Sequence, residues 1–214
     1  FRTLNRMYSD KGGTLFLDPG FPVHKQQARV LGQESWAFDV YNYRGDKLRA
    51  KMEEYLSNGK VTSILYSNPN NPSWICFTDK ELKIIGDLAT KYNAVVIEDL
   101  AYFGMDFRKD YSKPGVPPYQ PTVANYTDKY ILLISSSKVF SYAGQRIALM
   151  VISDHLFHRR YPDLLRYYSS DLFGRAMVFG ALYALSSGVA HSVQYGFAAI
   201  LKAANEGRFN IRDD

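Results

Sequence analysis

The chain has 214 residues, of which 46% are hydrophobic and 22% charged, with a formal net charge of +5 at pH 7. These values are ordinary for one sizeable globular domain with its own core. The basic residues are dispersed and no apolar run approaches the roughly 18 residues of a membrane span, so we expect neither a nucleic-acid partner nor a membrane partner.

The first part of the chain alternates between predicted strands and a predicted helix. Short apolar runs predict strands at residues 14–17, 35–40 and 61–66. Between the second and third strands, residues 45–56 carry apolar side chains at helical spacing, and a helix is predicted there.

The alternation continues through the middle of the chain. Thr78 followed by Glu81 is a capping-box pattern, which predicts a helix that runs to Tyr92. Apolar strands are predicted at residues 94–97 and 130–134. A further strand is predicted at 147–152, and it is expected to be buried.

The last third of the chain is predicted to be helical. Helices are expected at residues 155–168, 171–186 and 189–205, with Gly188 as the break before the last one. Alternating apolar strands and helices predict an α/β fold, with a mostly parallel sheet sandwiched by helices.

Each candidate chemical group follows a predicted strand, and ligands of such sheets bind beyond the carboxyl ends of the strands. These groups are Phe21, Asn71, Asp99 and Lys138. Lys138 is preceded by three serines and followed eight positions later by Arg146. A lysine in this setting suits a Schiff base, and the hydroxyls with Arg146 suit a phosphate.

Three motifs together resemble the pyridoxal-phosphate-dependent aminotransferases of class I/II, of fold-type I. They are Asn-Pro-Asn-Asn-Pro at 68–72, Glu-Asp-Leu-Ala-Tyr at 98–102, and Ser-Ser-Ser-Lys at 135–138 with Gly-Gln-Arg at 144–146. The separations are also similar to the family's, with 28 residues from Asn71 to Asp99 and 39 from Asp99 to Lys138.

The resemblance implies roles around the cofactor ring, pyridoxal 5'-phosphate. Asp99 would hold the proton on the ring nitrogen, and Asn71 and Tyr102 would bond its phenolic oxygen. Ala101 would lie against the ring face, and Phe21 would stack on it. Ordinary alternatives stay open, because Asp99 and Asn71 also suit turns, and Phe16, Trp36 and Phe38 compete with Phe21.

The resemblance also implies the attachment of the cofactor. Lys138 would form the Schiff base and then move a proton at the substrate α-carbon. Ser135, Ser137 and Arg146 would bind the phosphate. Arg146 directly precedes the strand that is expected to be buried, and an idle surface charge is not expected at that position.

Two positions depart from the family pattern. Trp74 and Ala148 stand where the family commonly has glycine, and Trp74 is expected to reshape the substrate mouth or the dimer contact. The resemblance places the family's first phosphate-binding loop before Phe1 and its small C-terminal domain beyond Asp214. We therefore expect residues 1–187 to be an incomplete cofactor-binding large domain, and 188–214 a helix that leads toward the small domain.

The function implied is transfer of an amino group from an amino acid to a 2-oxo acid in a homodimer. Two alternatives stay open: another fold-type I enzyme, such as a β-decarboxylase, C–S lyase or synthase, or a non-catalytic cofactor-binding module. Cys76 is the single cysteine, which excludes an intramolecular disulfide and fits a reducing, cytoplasmic location. No metal is expected.

Overall fold

The computed structural model describes residues 1–213 and contains one six-stranded sheet. The strand order is β2-β1-β3-β4-β5-β6, all pairs are parallel except β5 with β6, and this confirms the predicted mostly parallel sheet. The strands are β1 (Gly13–Asp18), β2 (Glu34–Asp39), β3 (Val61–Ser67), β4 (Val95–Asp99), β5 (Tyr130–Ser135) and β6 (Ala148–Ile152).

Helices connect these strands and follow the last of them. The α-helices are α1 (Pro22–Val30), α2 (Lys47–Leu56), α3 (Asp79–Tyr92), α4 (Asp154–Phe157), α5 (Phe173–Arg175), α6 (Ala184–Ser186) and α7 (His191–Asn205). A π-helix spans Ala176–Tyr183, and 3-10 turns lie at Leu4–Arg6, Val40–Tyr43, Val123–Asn125, Ala143–Gln145 and Pro162–Arg166.

Helices cover both faces of the sheet because successive strand residues point to opposite sides. On one side, Leu15 and Ile64 pack with the apolar stripes of α2 and α3. On the other side, Phe16 and Leu65 pack with α1 and the segment that follows β6. β3 is buried along its whole length, which places it at the centre of the molecule.

The capping box predicted for α3 is present. The Thr78 hydroxyl accepts from the Glu81 backbone N–H, and the Glu81 carboxylate accepts from the Thr78 backbone N–H. Glu81 also receives two 2.6 Å hydrogen bonds from the Arg44 guanidinium and is nearly inaccessible to solvent. The start of α3 is therefore fixed by an ion pair between the buried Glu81 carboxylate and the partly exposed Arg44.

Two helix predictions were wrong. The chain forms a helix at Pro22–Val30, where none was predicted. This segment is polar and buries only Ala28, so its sequence shows no apolar stripe that would indicate a helix. The helix predicted at 155–168 is instead α4 followed by the 3-10 turn Pro162–Arg166. A residue before proline disfavours helical backbone, and Tyr161 accordingly adopts an extended conformation.

The predicted burial of the sixth strand was also wrong. β6 is an edge strand that pairs only with β5 within residues 1–213, and its Leu149, Met150 and Val151 side chains are exposed. An apolar run alone does not distinguish a central strand from an edge strand. Arg146 therefore precedes an exposed edge strand, and burial of that strand gives no support for a phosphate-binding role of Arg146.

The helix α7 packs on the loop between β5 and β6. Its Val193 and Phe197 contact a cluster that contains Val139, Phe140 and Ile147. The division of the chain after residue 187 stays a prediction. Across residues 1–213, no helix is both long enough and apolar enough to span a bilayer.

Candidate active site

The candidate site lies at the carboxyl edge of the parallel strands. Ser67 at the end of β3 is in register with Asp99 at the end of β4, and Asp99 is in register with Leu133 of β5. The backbone N–H of Asn68 donates to the Asp99 carbonyl, and that of Leu100 donates to the Leu133 carbonyl. The segments after β3, β4 and β5 therefore leave the sheet side by side.

Asp99 is a mostly buried carboxylate with two neighbours. Its Oδ1 accepts a 3.0 Å hydrogen bond from the Ala101 backbone N–H, and its Oδ2 lies 3.5 Å from His24 Nε2. Burial raises the pKa of Asp99 above its usual range, and the neighbouring His24 and the Ala101 N–H offset this only in part. The arrangement favours a cation beside the carboxylate.

His24 is a functional candidate that sequence reasoning missed. Burial lowers the pKa of His24 and the Asp99 carboxylate partly restores it. Helix α1 places His24 on its first turn, where the edge of the ring meets Phe21 at 5.5 Å between centroids. The sequence signal was the spacing of three residues between Phe21 and His24, which brings two side chains together at the start of a helix. No helix was predicted here, so this spacing did not indicate a contact.

Phe21 is the residue that precedes α1, and its side chain is exposed. His24 contacts both Phe21 and Asp99, so it links these two predicted site residues. Phe16 and Phe38, which the sequence left as alternatives to Phe21 for stacking on the ring, are buried in the core on opposite sides of the sheet.

The loop after β3 is fixed around Asn70. The Asn70 amide donates to the Pro19 carbonyl at 2.8 Å and its oxygen accepts from the Ser73 hydroxyl at 2.7 Å. Asn71 is half-buried, and its backbone N–H donates to the Ser67 hydroxyl at 3.3 Å. The network ties the Asn71 loop both to the end of β3 and to the turn before Phe21.

Ala101 and Tyr102 lie in the turn that follows β4. Both are half-buried, and the Tyr102 ring meets the Trp74 ring edge to face at 5.6 Å between centroids. The Tyr102 carbonyl accepts from the Met105 N–H, which closes the turn. Tyr102 and the Asn71 loop therefore lie next to each other, joined through Trp74.

Ser135, Ser137, Lys138 and Arg146 belong to the loop between β5 and β6. The Ser135 hydroxyl accepts from the Ser137 backbone N–H at 3.1 Å. Ser136 is buried and donates from its hydroxyl to the Ile147 carbonyl at 2.7 Å, which closes the base of the loop. The hydroxyl proton of Ser135 stays available to a ligand oxygen.

The two cationic side chains of this loop are exposed. Within residues 1–213, no hydrogen bond or ion pair engages the Lys138 ammonium. Arg146 adopts the left-handed backbone conformation with φ of 54°, and its Nη1 donates to the Ala143 carbonyl at 2.7 Å. The remaining N–H groups of its guanidinium point to no acceptor in the described chain.

The Lys138 loop and the Asp99 turn are held together by packing. Val139 and Phe140, which directly follow Lys138, pack in a cluster against Phe103 and Met105, which follow Tyr102. The structure thus brings the two loops together, while it shows no direct contact between the Lys138 amine and Asp99 or Tyr102.

A second buried carboxylate supports the site from below. Glu98 accepts from the Thr122 hydroxyl at 2.5 Å, from the Val123 N–H at 3.0 Å and from the Asn68 amide at 3.1 Å. Burial raises its pKa and these hydrogen bonds lower it in part. Glu98 therefore fixes the start of the Asn71 loop to β4.

The site contains the groups of covalent and acid–base chemistry: the Lys138 amine, the mostly buried Asp99 carboxylate, the His24 imidazole and the Tyr102 phenol. No group of three or more histidine, cysteine, aspartate or glutamate side chains suited to a metal ion occurs in residues 1–213. Cys76 is half-buried, and burial raises the pKa of its thiol to about 11, so it is not an activated nucleophile.

Comparisons with known proteins identify relatives of this chain. Residues 2–207 match the profile of the family described as Aminotransferase class I and II. Human tyrosine aminotransferase is 26% identical over 168 residues, which cover 77% of this chain and 36% of the human protein.

Two solved structures have the same fold. The aromatic aminotransferase of Pyrococcus horikoshii OT3 has a TM-score of 0.66 at 18% identity, covering 97% of this chain and 52% of that one. The PLP-bound C–S lyase of Staphylococcus hominis has a TM-score of 0.61 at 16% identity, covering 96% and 46%. The chain thus spans about half the length of these structures, and at such identities the likeness shows the fold alone.

Proposed function

Because this chain belongs to the class I and II aminotransferases, we propose that it binds pyridoxal 5'-phosphate and transfers an amino group from an amino acid to a 2-oxo acid. The observation that carries the proposal is the mostly buried Asp99 carboxylate at the sheet edge, which accepts from the Ala101 N–H and lies beside His24. The PLP-bound C–S lyase with the same fold supports the cofactor assignment.

The residues present fit this cofactor by their chemistry. A carboxylate whose pKa is raised by burial gains most from a cationic partner, and a protonated pyridine nitrogen is such a partner. Lys138 offers an amine that the described chain leaves unengaged. Ser135, Ser137 and Arg146 offer the hydroxyls and the cation that a phosphate requires.

Pyridoxal phosphate, when bound, supplies an aldehyde for an amine and an electron sink for the substrate α-carbon. Asp99 would hold the proton on the ring nitrogen, and His24 would orient the Asp99 carboxylate through its Nε2. Phe21 and Ala101 would hold the ring by packing, and Asn71 and Tyr102 would bond its phenolic oxygen.

Lys138 has two tasks in this proposal. Its Nζ would attach the cofactor covalently. The same amine, once free, would take the proton from the substrate α-carbon and carry it during amino transfer. Exposure of Lys138 in the described chain is consistent with a side chain that must swing between two positions.

We further propose that the protein works as a homodimer, with amino acid and 2-oxo acid substrates. An exposed apolar surface supports this, since Phe179, Leu182, Tyr183 and Leu185 are all more than half exposed. A cytoplasmic location and the lack of nucleic-acid or membrane partners stay predictions.

A second candidate is a lyase, which the C–S lyase with the same fold favours. The two activities differ when an amino acid is added without an acceptor. A transaminase forms one equivalent of 2-oxo acid per site and leaves the cofactor in its aminated form. A lyase releases product continuously and leaves the cofactor unchanged.

This difference tests the proposal. The cofactor-loaded protein is mixed with an amino acid alone, and 2-oxo acid and cofactor form are quantified by chromatography. One equivalent of 2-oxo acid that is absent in Lys138→Ala supports transamination. Continuous release of ammonia together with 2-oxo acid would support the lyase and contradict transamination. No 2-oxo acid and no change of the cofactor would contradict both activities.

A further inference from the structure

Trp74 has an unusual backbone conformation beside the candidate site. Its φ is 58°, in the left-handed region, where a bulky side chain is disfavoured and glycine is not. The side chain is nevertheless 44% exposed, so burial of the indole does not compensate for the strain. Strained conformations of this kind concentrate where function requires them.

The loop that carries Trp74 holds the indole in a defined direction. The Trp74 backbone N–H donates to the Asn70 carbonyl, and the Asn70 N–H donates to the Ile75 carbonyl, both at 2.9 Å. Asn70 is buried and is itself bonded to Pro19 and Ser73. The indole is therefore presented to solvent by a fixed loop.

A second exposed aromatic lies parallel to it. The Phe107 ring is 56% exposed, is inclined 12° to the Trp74 ring, and has its centroid 6.5 Å away. The backbone at Phe107 is fixed by its neighbours, since Arg108 donates to Asp106 from its backbone N–H and its guanidinium. Two half-exposed rings on fixed loops form a preorganised aromatic surface.

This surface borders both the candidate site and an open groove of about 500 Å³. The Trp74 ring contacts Tyr102, so a molecule bound at Tyr102 reaches the aromatic surface directly. The arginines that line the groove are neutralised, Arg44 by Glu81 and Arg108 by Asp106. The Arg212 guanidinium lies 5.9 Å from the centroid of the Phe107 ring and adds a cation–π contact to this surface. Two half-exposed rings of this kind suit a planar aromatic group.

We propose that Trp74 and Phe107 form the side-chain subsite of the substrate, and that this subsite selects amino acids and 2-oxo acids with an aromatic side chain. The proposal rests on the proposed function, because it places the reacting end of the substrate at Lys138 and Tyr102. The two aromatic rings determine specificity and take no part in proton transfer.

A binding experiment tests the subsite without turnover. The chain contains two tryptophans, so the emission of Trp74 is the difference between the protein and its Trp74→Phe variant. Titration with 3-phenylpropionate should saturate this emission change, and hexanoate should bind at least about 10-fold more weakly. Phe107→Leu should weaken phenylpropionate binding several-fold, and Tyr41→Leu, at an exposed tyrosine on another loop, should not.

Equal apparent affinity for phenylpropionate and hexanoate, or binding unchanged in Phe107→Leu, would overturn the subsite. Trp74→Asn provides a variant that folds readily, because asparagine tolerates the left-handed backbone and carries no ring. It should lower kcat/KM for aromatic amino donors at least about 10-fold relative to aliphatic donors, whereas Trp74→Phe should retain the preference. An equal loss for both donor classes contradicts the assignment.

These assays separate this proposal from the proposed function. If no amino acid yields a 2-oxo acid but phenylpropionate binding is selective, transamination fails and the aromatic subsite stands. If 2-oxo acid forms and the donor preference does not depend on Trp74, the subsite fails alone.

Discussion

Replacing Glu81 with glutamine should destabilise the protein and release the loop that carries Asn71 and Trp74. Glu81 accepts from Arg44 at two 2.6 Å contacts, from the Gly45 N–H and from the Thr78 N–H. Arg44 also donates to the carbonyl of Cys76, two residues after Trp74. The substitution keeps the shape of the side chain and removes its charge.

The magnitude follows from the pKa of Glu81. Burial alone would raise this pKa, but the hydrogen bonds from Arg44, Gly45 and Thr78 outweigh it and lower the pKa from 4.5 to about 2. At about 1.4 kcal/mol for each pH unit, the ionised form contributes about 3 kcal/mol to folding. Because the folded pKa is depressed, this contribution is complete above pH 4.5 and disappears as the pH falls toward 2.

Urea denaturation followed by circular dichroism measures this contribution. At pH 7, Glu81→Gln should lower the free energy of unfolding by about 3 kcal/mol, and the difference from the unchanged protein should shrink between pH 4.5 and pH 2. Glu54→Gln is the matched control, since Glu54 is 60% exposed in its pair with Lys51. A difference that is constant across this pH range would refute the electrostatic reasoning.

Two further substitutions test the site itself. Asp99→Asn should lower the rate of transamination at least about 100-fold. The cofactor-free variant should melt no lower than the unchanged protein at pH 7. Burial raises the pKa of Asp99 in the folded protein, so the ionised carboxylate lowers the stability of the fold at any pH above the pKa of the unfolded chain. An unchanged rate contradicts the ring-nitrogen assignment. Arg146→Ala should weaken pyridoxal phosphate binding by about 10- to 100-fold in an absorbance titration, and Arg175→Ala should not. Equal effects of the two arginine substitutions would remove Arg146 from the phosphate site.

Local signals predicted the interior of the fold well. The strands β3 and β4 are apolar runs whose side chains are buried on both faces of the sheet. The helix α3 begins at the capping box of Thr78 and Glu81. These features depend on neighbours within a few residues, which a sequence displays directly.

Features that depend on distant neighbours were not predicted. The apolar strand β6 is exposed because it lies at the sheet edge, a property of topology and not of its composition. The helix α1 is polar nearly throughout, so it showed no apolar stripe. His24 was not predicted as a site residue, because its contact with Asp99 joins residues 75 positions apart in the sequence.

The candidate residues themselves were read from motif order and spacing. The structure places Asn71, Asp99, Ser135 and Lys138 on segments that leave one sheet edge together, as the parallel strands require. Spacing did not indicate the supporting contacts, in particular Glu98 beneath the Asn71 loop and Trp74 against Tyr102.

The most direct test of the account is chemical trapping at Lys138. The protein is incubated with pyridoxal phosphate, reduced with borohydride, digested and examined by peptide mass spectrometry. We predict a phosphopyridoxyl group on Lys138 at close to one per chain, with Lys109, an exposed lysine outside the site, unlabelled at the same cofactor concentration. Labelling distributed over surface lysines, or unchanged total labelling in Lys138→Ala, would contradict the assignment of Lys138 as the cofactor-binding residue.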